Sequence, residues 1–238
     1  MIKKLIISLF IIIIFIISLV LYIRLAFEIL LKPTSEVISP PEVEVLTHDL
    51  YKDNTGMYKI IGEVKNVSSK NLIIEIIAYL YVKKSIAGFG WGFTTIPILV
   101  PNQKSPFFII IKPTTQEKID RYSLKIRFGT TIQQPYRELK VLMHYSYIDN
   151  FGYFHVIGKI RNEGSQDVID VIVIGTFYDI TGTIIAVNST HVTSEKLTIG
   201  QEALFELIIK DKVISYKIIN YNLDVWSSTG LYIVSPKW

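Results

Sequence analysis

Two histidine–aspartate pairs recur in the chain at one spacing. His48 and Asp53 lie in VLTHDLYKDNTGMYKIIGEVKN, from Val45; His144 and Asp149 lie in VLMHYSYIDNFGYFHVIGKIRN, from Val141. An imidazole and a carboxylate can share a metal ion or move a proton, so a duplicated pair suggests two reactive centres. A metal centre needs a further ligand at workable spacing, and neither copy offers one. The segments also agree at Val45/Val141, Leu46/Leu142, Tyr51/Tyr147, Asn54/Asn150, Gly56/Gly152, Ile61/Ile157, Gly62/Gly158 and Asn66/Asn162. Agreement at so many apolar and turn positions marks a repeated folding unit. Each histidine then sits in an alternating strand and bonds a backbone group. Asp-Asn-x-Gly closes a turn, the Asp and Asn side chains bonding the local backbone and Gly supplying positive φ. Gly62 and Gly158, in mid-strand, mark a bulge or a close backbone approach.

Other chemistry is excluded more simply. There is no cysteine, hence no disulfide, thiolate metal site or Cys nucleophile. His155 and His191 have no companions at triad spacing. No G-x-S-x-G, H-E-x-x-H or Gly-rich phosphate loop occurs. The expectation is a non-enzymatic chain with no catalytic residue, no metal and no cofactor. Beyond Lys32 the chain holds 21 Lys/Arg and 20 Asp/Glu, which is no nucleic-acid footprint. The balance is split. Residues 43–130 carry 12 basic and 7 acidic groups, residues 136–230 carry 8 and 11.

The elements that position these residues follow from hydropathy. Lys3 and Lys4 precede an apolar run from Leu5 to Ile23, broken only by Ser8, Ser18 and Tyr22. Such a run is long enough for a membrane-spanning helix, and no A-x-A-like cleavage site follows. Residues 1–32 read as an uncleaved signal anchor, N-terminus cytoplasmic and the rest outside. Residues 33–42, with Pro40-Pro41, read as a stiff stalk. Alternation in EVEVLTHDLY, YKIIGEVKN and YSLKIRF then gives strands almost throughout. QEKIDRYSL and KDKVISYKIINYNL are expected to form one helical turn each.

The repeat continues past its opening. LIIEIIAYLYV (from Leu72) lines up with IDVIVIGTFYD (from Ile169), LVPNQKSPFFIII (from Leu99) with LTIGQEALFELII (from Leu197), and YSLKIRF (from Tyr122) with YNLDVWS (from Tyr221). The fold class is therefore all-β: two tandem immunoglobulin-like antiparallel β-sandwiches plus one N-terminal transmembrane helix. The expected divisions are sandwich 43–130, linker 131–135, sandwich 136–230 and tail 231–238. The second unit, with VIGKIRN, then Gly175-Thr176-Phe177-Tyr178-Asp179, then LTIGQEALF, resembles the FxLYD domain family. Phe177 stands for the motif's Leu and Gly175 for its Phe. Ala78-Tyr79-Leu80-Tyr81-Val82 of the first unit keeps Leu and Tyr and loses the Asp. The resemblance implies small structural or binding modules of exported prokaryotic proteins, without a general catalytic activity.

Candidate partner-binding residues are those the fold does not demand. AGFGWGF, from Ala87, sets Phe89, Trp91 and Phe93 between glycines at strand spacing, so the three rings share one face. That face is either core or an exposed patch. The second unit has ITGT there, so the fold needs no rings at this place. Tyr178 and Asp179 enter a hairpin turn at the rim, where loops carry function. Asn66-Val67-Ser68 and Asn188-Ser189-Thr190 are possible glycosylation sequons. The expected partners are the membrane and a protein or glycan of the cell envelope. A pilin-like filament subunit is the alternative, weakened by the lack of a leader with a small residue before the apolar run, and a metal-dependent or hydrolytic enzyme ranks below both.

Overall fold

The structure, a computed structural model, describes residues 13–24, 33–53 and 55–229. Residues 13–24 form helix α1, whose large apolar side chains from Ile13 to Ile23 are all exposed. Among the described residues no helix is long and apolar enough to cross a membrane. The expected span lies partly outside them, at residues 1–12 and 25–32.

Strands dominate the described residues after 33. Sheet I has the order β1 (Thr34–Ile38), β7 (Arg121–Thr131), β4 (Asn71–Val82), β5 (Ser85–Phe93). Sheet II is β2 (Val43–Lys52), β3 (Tyr58–Asn66), β6 (Lys104–Ile111). Between them Ile60, Val64, Phe107 and Ile109 meet Ile74, Ile76, Leu80 and Leu124 in one buried core. Sheet III is β12 (Ile184–His191), β11 (Ile172–Tyr178), β15 (Asn220–Trp226), and sheet IV is β14 (Glu202–Ile209), β9 (Phe154–Asn162), β8 (Leu139–Ile148). Their core joins Val173 and Phe177 to Val156, Ile160, Phe205 and Leu207. A two-residue ribbon pairs β10 (Val168–Ile169) with β13 (Lys196–Leu197). Among the described residues of this part the only helical turn is α2 (Lys212–Ser215), capped by Asp211, whose carboxylate accepts from Val213 N and Ile214 N. QEKIDRYSL forms no helix: its last residues are already strand β7.

The halves correspond strand for strand, and register fixes the correspondence. Gly62 pairs with Phe107 and Gly158 with Phe205. Leu80 pairs with Tyr122 and Phe177 with Tyr221. Sheet III is thus the counterpart of sheet I, and sheet IV of sheet II. One strand has no counterpart among the described residues. Residues 34–38, expected to be stalk, form β1, parallel to β7 from Thr34 opposite Arg121 to Ile38 opposite Lys125. The edge of β7 offers unpaired backbone groups, and TSEVI is extended enough to take them. Arg121 and Glu36 add an ion pair at 3.2 Å.

The two sandwiches are stacked. Ile61 and Glu63 alternate with the core residues of β3, so they point away from the first core, yet both are buried. Ile174 and Thr176 of β11 point away from the second core and are buried too. What covers each pair is the other sandwich. Ile172, Val187 and Trp226 of sheet III pack on the first core cluster, and β12 lies against β2, β3 and β6. The layers therefore run I, II, III, IV, and the outer faces of sheets I and IV are the two ends of the stack.

Candidate interaction surface

The repeated histidines are structural partners of repeated tyrosines. His48 Nδ1 lies 2.7 Å from the Tyr122 hydroxyl and His144 Nδ1 lies 2.8 Å from that of Tyr221, each ring edge-on to its partner. Beyond the expected backbone group, each reaches the tyrosine of the YSLKIRF/YNLDVWS repeat. Burial pushes the Tyr122 hydroxyl up to about 12, so it stays protonated and can donate. No group of three or more His, Asp or Glu among the described residues could hold a metal. The aspartates close turns. Asp53 Oδ1 accepts from Thr55 N and Met57 N, Asp149 Oδ1 from Phe151 N and Tyr153 N, and Asp179 Oδ1 from Thr181 N and Thr183 N. Gly56, Gly152 and Gly182 complete the three turns at positive φ.

Strand β5 presents its aromatics outward. Phe89, Trp91 and Phe93 are 65%, 59% and 40% exposed. The inward positions are Gly88, Gly90 and Gly92. A Cβ on Gly90 would stand 2.8 Å from Ile109 Cγ2 and 2.9 Å from Ile111 Cγ1, so β5 closes directly onto β6. The strand has put all its bulk on the side that the core does not use. Trp91 and Phe93 meet edge-on at 5.9 Å, and Tyr79 of β4 meets Phe89 at 6.4 Å. Ile77 and Lys125 stand beside Trp91 in register, and Arg127 pairs with Glu75 at 3.4 Å. The face is an aromatic–aliphatic patch with a basic margin.

Tyr178 and Asp179 part company. Asp179 holds its turn, while Tyr178 reaches the other sandwich: its hydroxyl donates to Glu63 Oε1 at 2.8 Å and accepts from Asn222 Nδ2 at 3.3 Å. Burial, then the hydrogen bond to the Glu63 carboxylate, holds the Tyr178 hydroxyl far above its ordinary pKa. Asp224, also on sheet III, is pushed up to about 6, first by burial and then by the charge of Glu63, against the pull of Arg137 and Lys104. Ile184 N donates to Thr47 Oγ1 at 3.2 Å in the same junction. The corresponding tyrosine of the first unit, Tyr81, is on sheet I under the Arg121 guanidinium at 3.9 Å.

Of the two sequons, Asn66 is turned inward. It is buried, and its Nδ2 donates to Lys70 O and Leu99 O, as Asn162 Nδ2 does to Gln166 O and Leu197 O. This nitrogen locks the strand end. Asn188 Nδ2 donates to Ile208 O at 2.6 Å.

Residues beyond those foreseen form a second patch on sheet IV. Met143 and Tyr145 are 67% and 61% exposed, with Leu204 beside them. Tyr147 stacks on Tyr145 and, at 4.7 Å, on His155. Burial works against a charge on His155, but hydrogen bonds to Glu206 at 2.8 Å and Asp149 at 3.2 Å outweigh it and raise its pKa. The alternation Met143-x-Tyr145-x-Tyr147 was the visible signal for this face.

No family model matches the chain, and no curated protein matches it. Solved structures give distant likenesses. A β-glucuronidase from glycoside hydrolase family 2 matches 64% of this chain and 20% of its own at 12% identity and TM-score 0.26. Red sea bream transglutaminase matches 79% of this chain and 29% of its own at 10% identity and TM-score 0.25. A putative β-galactosidase from Bacteroides fragilis matches 76% and 34% at 13% identity and TM-score 0.22. The chain thus spans about a fifth to a third of those proteins, and similarity at this level says nothing of what it does.

Proposed function

We propose that the chain is a membrane-anchored extracytoplasmic protein whose two immunoglobulin-like sandwiches, of the FxLYD kind, form a non-catalytic interaction unit. Its partner is an envelope or surface-layer protein or a glycan. One observation carries the reading: β5 holds Phe89, Trp91 and Phe93 in solvent over an inner row of glycines. Exposed rings at neighbouring positions contribute little to folding and much to contact. The anchor is supported by the apolar run from Leu5 and by the uncovered apolar side chains of α1. The family reading is supported by Tyr81 and Tyr178, which occupy corresponding positions in the two units.

The test is retention by detergent-solubilised envelope from the source cell. Wild-type chain is expected to retain a defined partner, and Trp91→Ala is expected to weaken retention about tenfold or more, the scale of an interface hot spot. Equal retention by both proteins, with the variant's melting curve unchanged, would remove the reading.

A further inference from the structure

We propose that the chain stacks head to tail on a second copy of itself, the outer face of sheet I of one copy seated on the outer face of sheet IV of the next. This rests on the reading that the aromatic face of sheet I is a contact surface, and it names the occupant.

Inside the molecule sheet III packs on sheet II. Sheet III is the counterpart of sheet I, and sheet II of sheet IV. The stack therefore shows at its two ends the two halves of the interface that it already makes in its middle. Register carries the comparison to residues. Tyr178, Ile174 and Val187 on sheet III correspond to Tyr81, Ile77 and Phe89 on sheet I. Thr47, Ile61 and Pro106 on sheet II correspond to Met143, Ile157 and Leu204 on sheet IV. Val187 is packed against the first core, whereas Phe89, Met143 and Leu204 are exposed. The terminal faces are at least as apolar as the joined ones at these positions.

Charge agrees. Within the molecule Asp224 lies in the field of Glu63 and Lys104. The corresponding residues are Lys125 on sheet I and Lys159 and Glu202 on sheet IV. Reversing every sign keeps the balance of that cluster, Lys125 facing Lys159 as Asp224 faces Glu63 and facing Glu202 as Asp224 faces Lys104, so the attraction between copies comes from the net charges of the two sandwiches. Within its own chain Glu202 pairs with Lys159 at 3.0 Å and with Arg161. The first sandwich is net basic and the second net acidic. Contact of first with second sandwich is attractive, whereas first with first or second with second is repulsive. Such a contact is heterologous and propagates into an open row.

The cysteine-free chain allows a direct test. Ile184 N touches Thr47 Oγ1 across the internal interface, and the corresponding residues, Ile86 and Met143, are both exposed. Full-length Ile86→Cys and a size-tagged full-length Met143→Cys are co-reconstituted in phospholipid vesicles and oxidised. The mixed disulfide is expected about tenfold above either single-cysteine homodimer, and a double-cysteine chain is expected to give a ladder of multimers. Phe89→Asp is expected to abolish the ladder. Absence of the mixed product, or an Ile86→Cys homodimer that outweighs it, overturns the stacking. If stacking fails while Trp91→Ala still loses envelope retention, the contact-surface reading stands and only its occupant is wrong. If Trp91→Ala also retains partner normally, both fall.

Discussion

Asp224→Asn is expected to raise the thermal midpoint of the full chain at pH 7.5 and to leave it unchanged near pH 4. Asp224 sits in the junction between sheets II and III with a pKa raised from 3.8 to about 6. The sign follows from linkage. The unfolded chain releases this proton near 3.8, the folded chain near 6, so the folded state binds more protons between them. Stability is fully present below about 4, falls as pH rises through about 6, and is flat above. A shift of about two units corresponds to about 3 kcal/mol. Asparagine keeps the shape, removes the charge and cannot titrate. The pull of Arg137 and Lys104 is already within that shift, so the expected gain is about 3 kcal/mol, or about 6–12 °C for a chain of this size. The check is a set of melting curves between pH 4 and 8. A wild-type midpoint that rises with pH over this window, or a variant whose pH profile parallels the wild type, would show that Asp224 is not a buried acid.

Gly158→Ala is expected to cost about 3 kcal/mol, the upper part of the range for overpacking a core. A Cβ at this position would lie 2.4 Å from Phe205 Cζ and 2.8 Å from the Met143 carbonyl oxygen. The ring cannot retreat, because Phe205 is buried in the second core. Gly62 repeats the arrangement, with Phe107 Cζ at 2.3 Å. The expected fall in midpoint is about 6–12 °C. Phe205→Leu in the same chain shortens the opposing group and should recover part of the loss, although Phe205→Leu alone destabilises. An alanine variant that melts with the wild type would mean that the phenylalanines do not lie over these glycines. Glycine is thus needed here for close approach, and both φ values are ordinary.

Much of this could be read from residue order because strands and turns are local. Alternation gave the strands of YKIIGEVKN and YSLKIRF, and Asp-x-x-Gly gave the turns at Asp53 and Asp149. What escaped was non-local. TSEVI looked like stalk because it runs into Ser39-Pro40-Pro41; only the open edge of β7, about 85 residues on, makes it a strand. Glu63, which alternation sets on the face of β3 opposite the core, is buried because another sandwich covers that face. A trace of this was present. KIIG places apolar side chains at Ile60 and Ile61, and VIVI places them at Val171, Ile172, Val173 and Ile174, so both strands are apolar on two faces, the mark of burial from both sides. The rings of AGFGWGF were ambiguous for the opposite reason. Gly88, Gly90 and Gly92 fit a core strand or a surface strand, and only the closeness of β6 shows which side the glycines face.

The central claim is that Phe89, Trp91 and Phe93 exist for contact and not for the core. Its most direct test is the thermal midpoint of the full chain carrying Phe89→Thr, Trp91→Thr and Phe93→Thr together, threonine keeping the preference for strand. With all three rings substantially in solvent, the midpoint is expected to stay within about 4 °C of the wild type. Core aromatics lost at about 3–5 kcal/mol each would instead abolish cooperative unfolding altogether, and that result would contradict the claim.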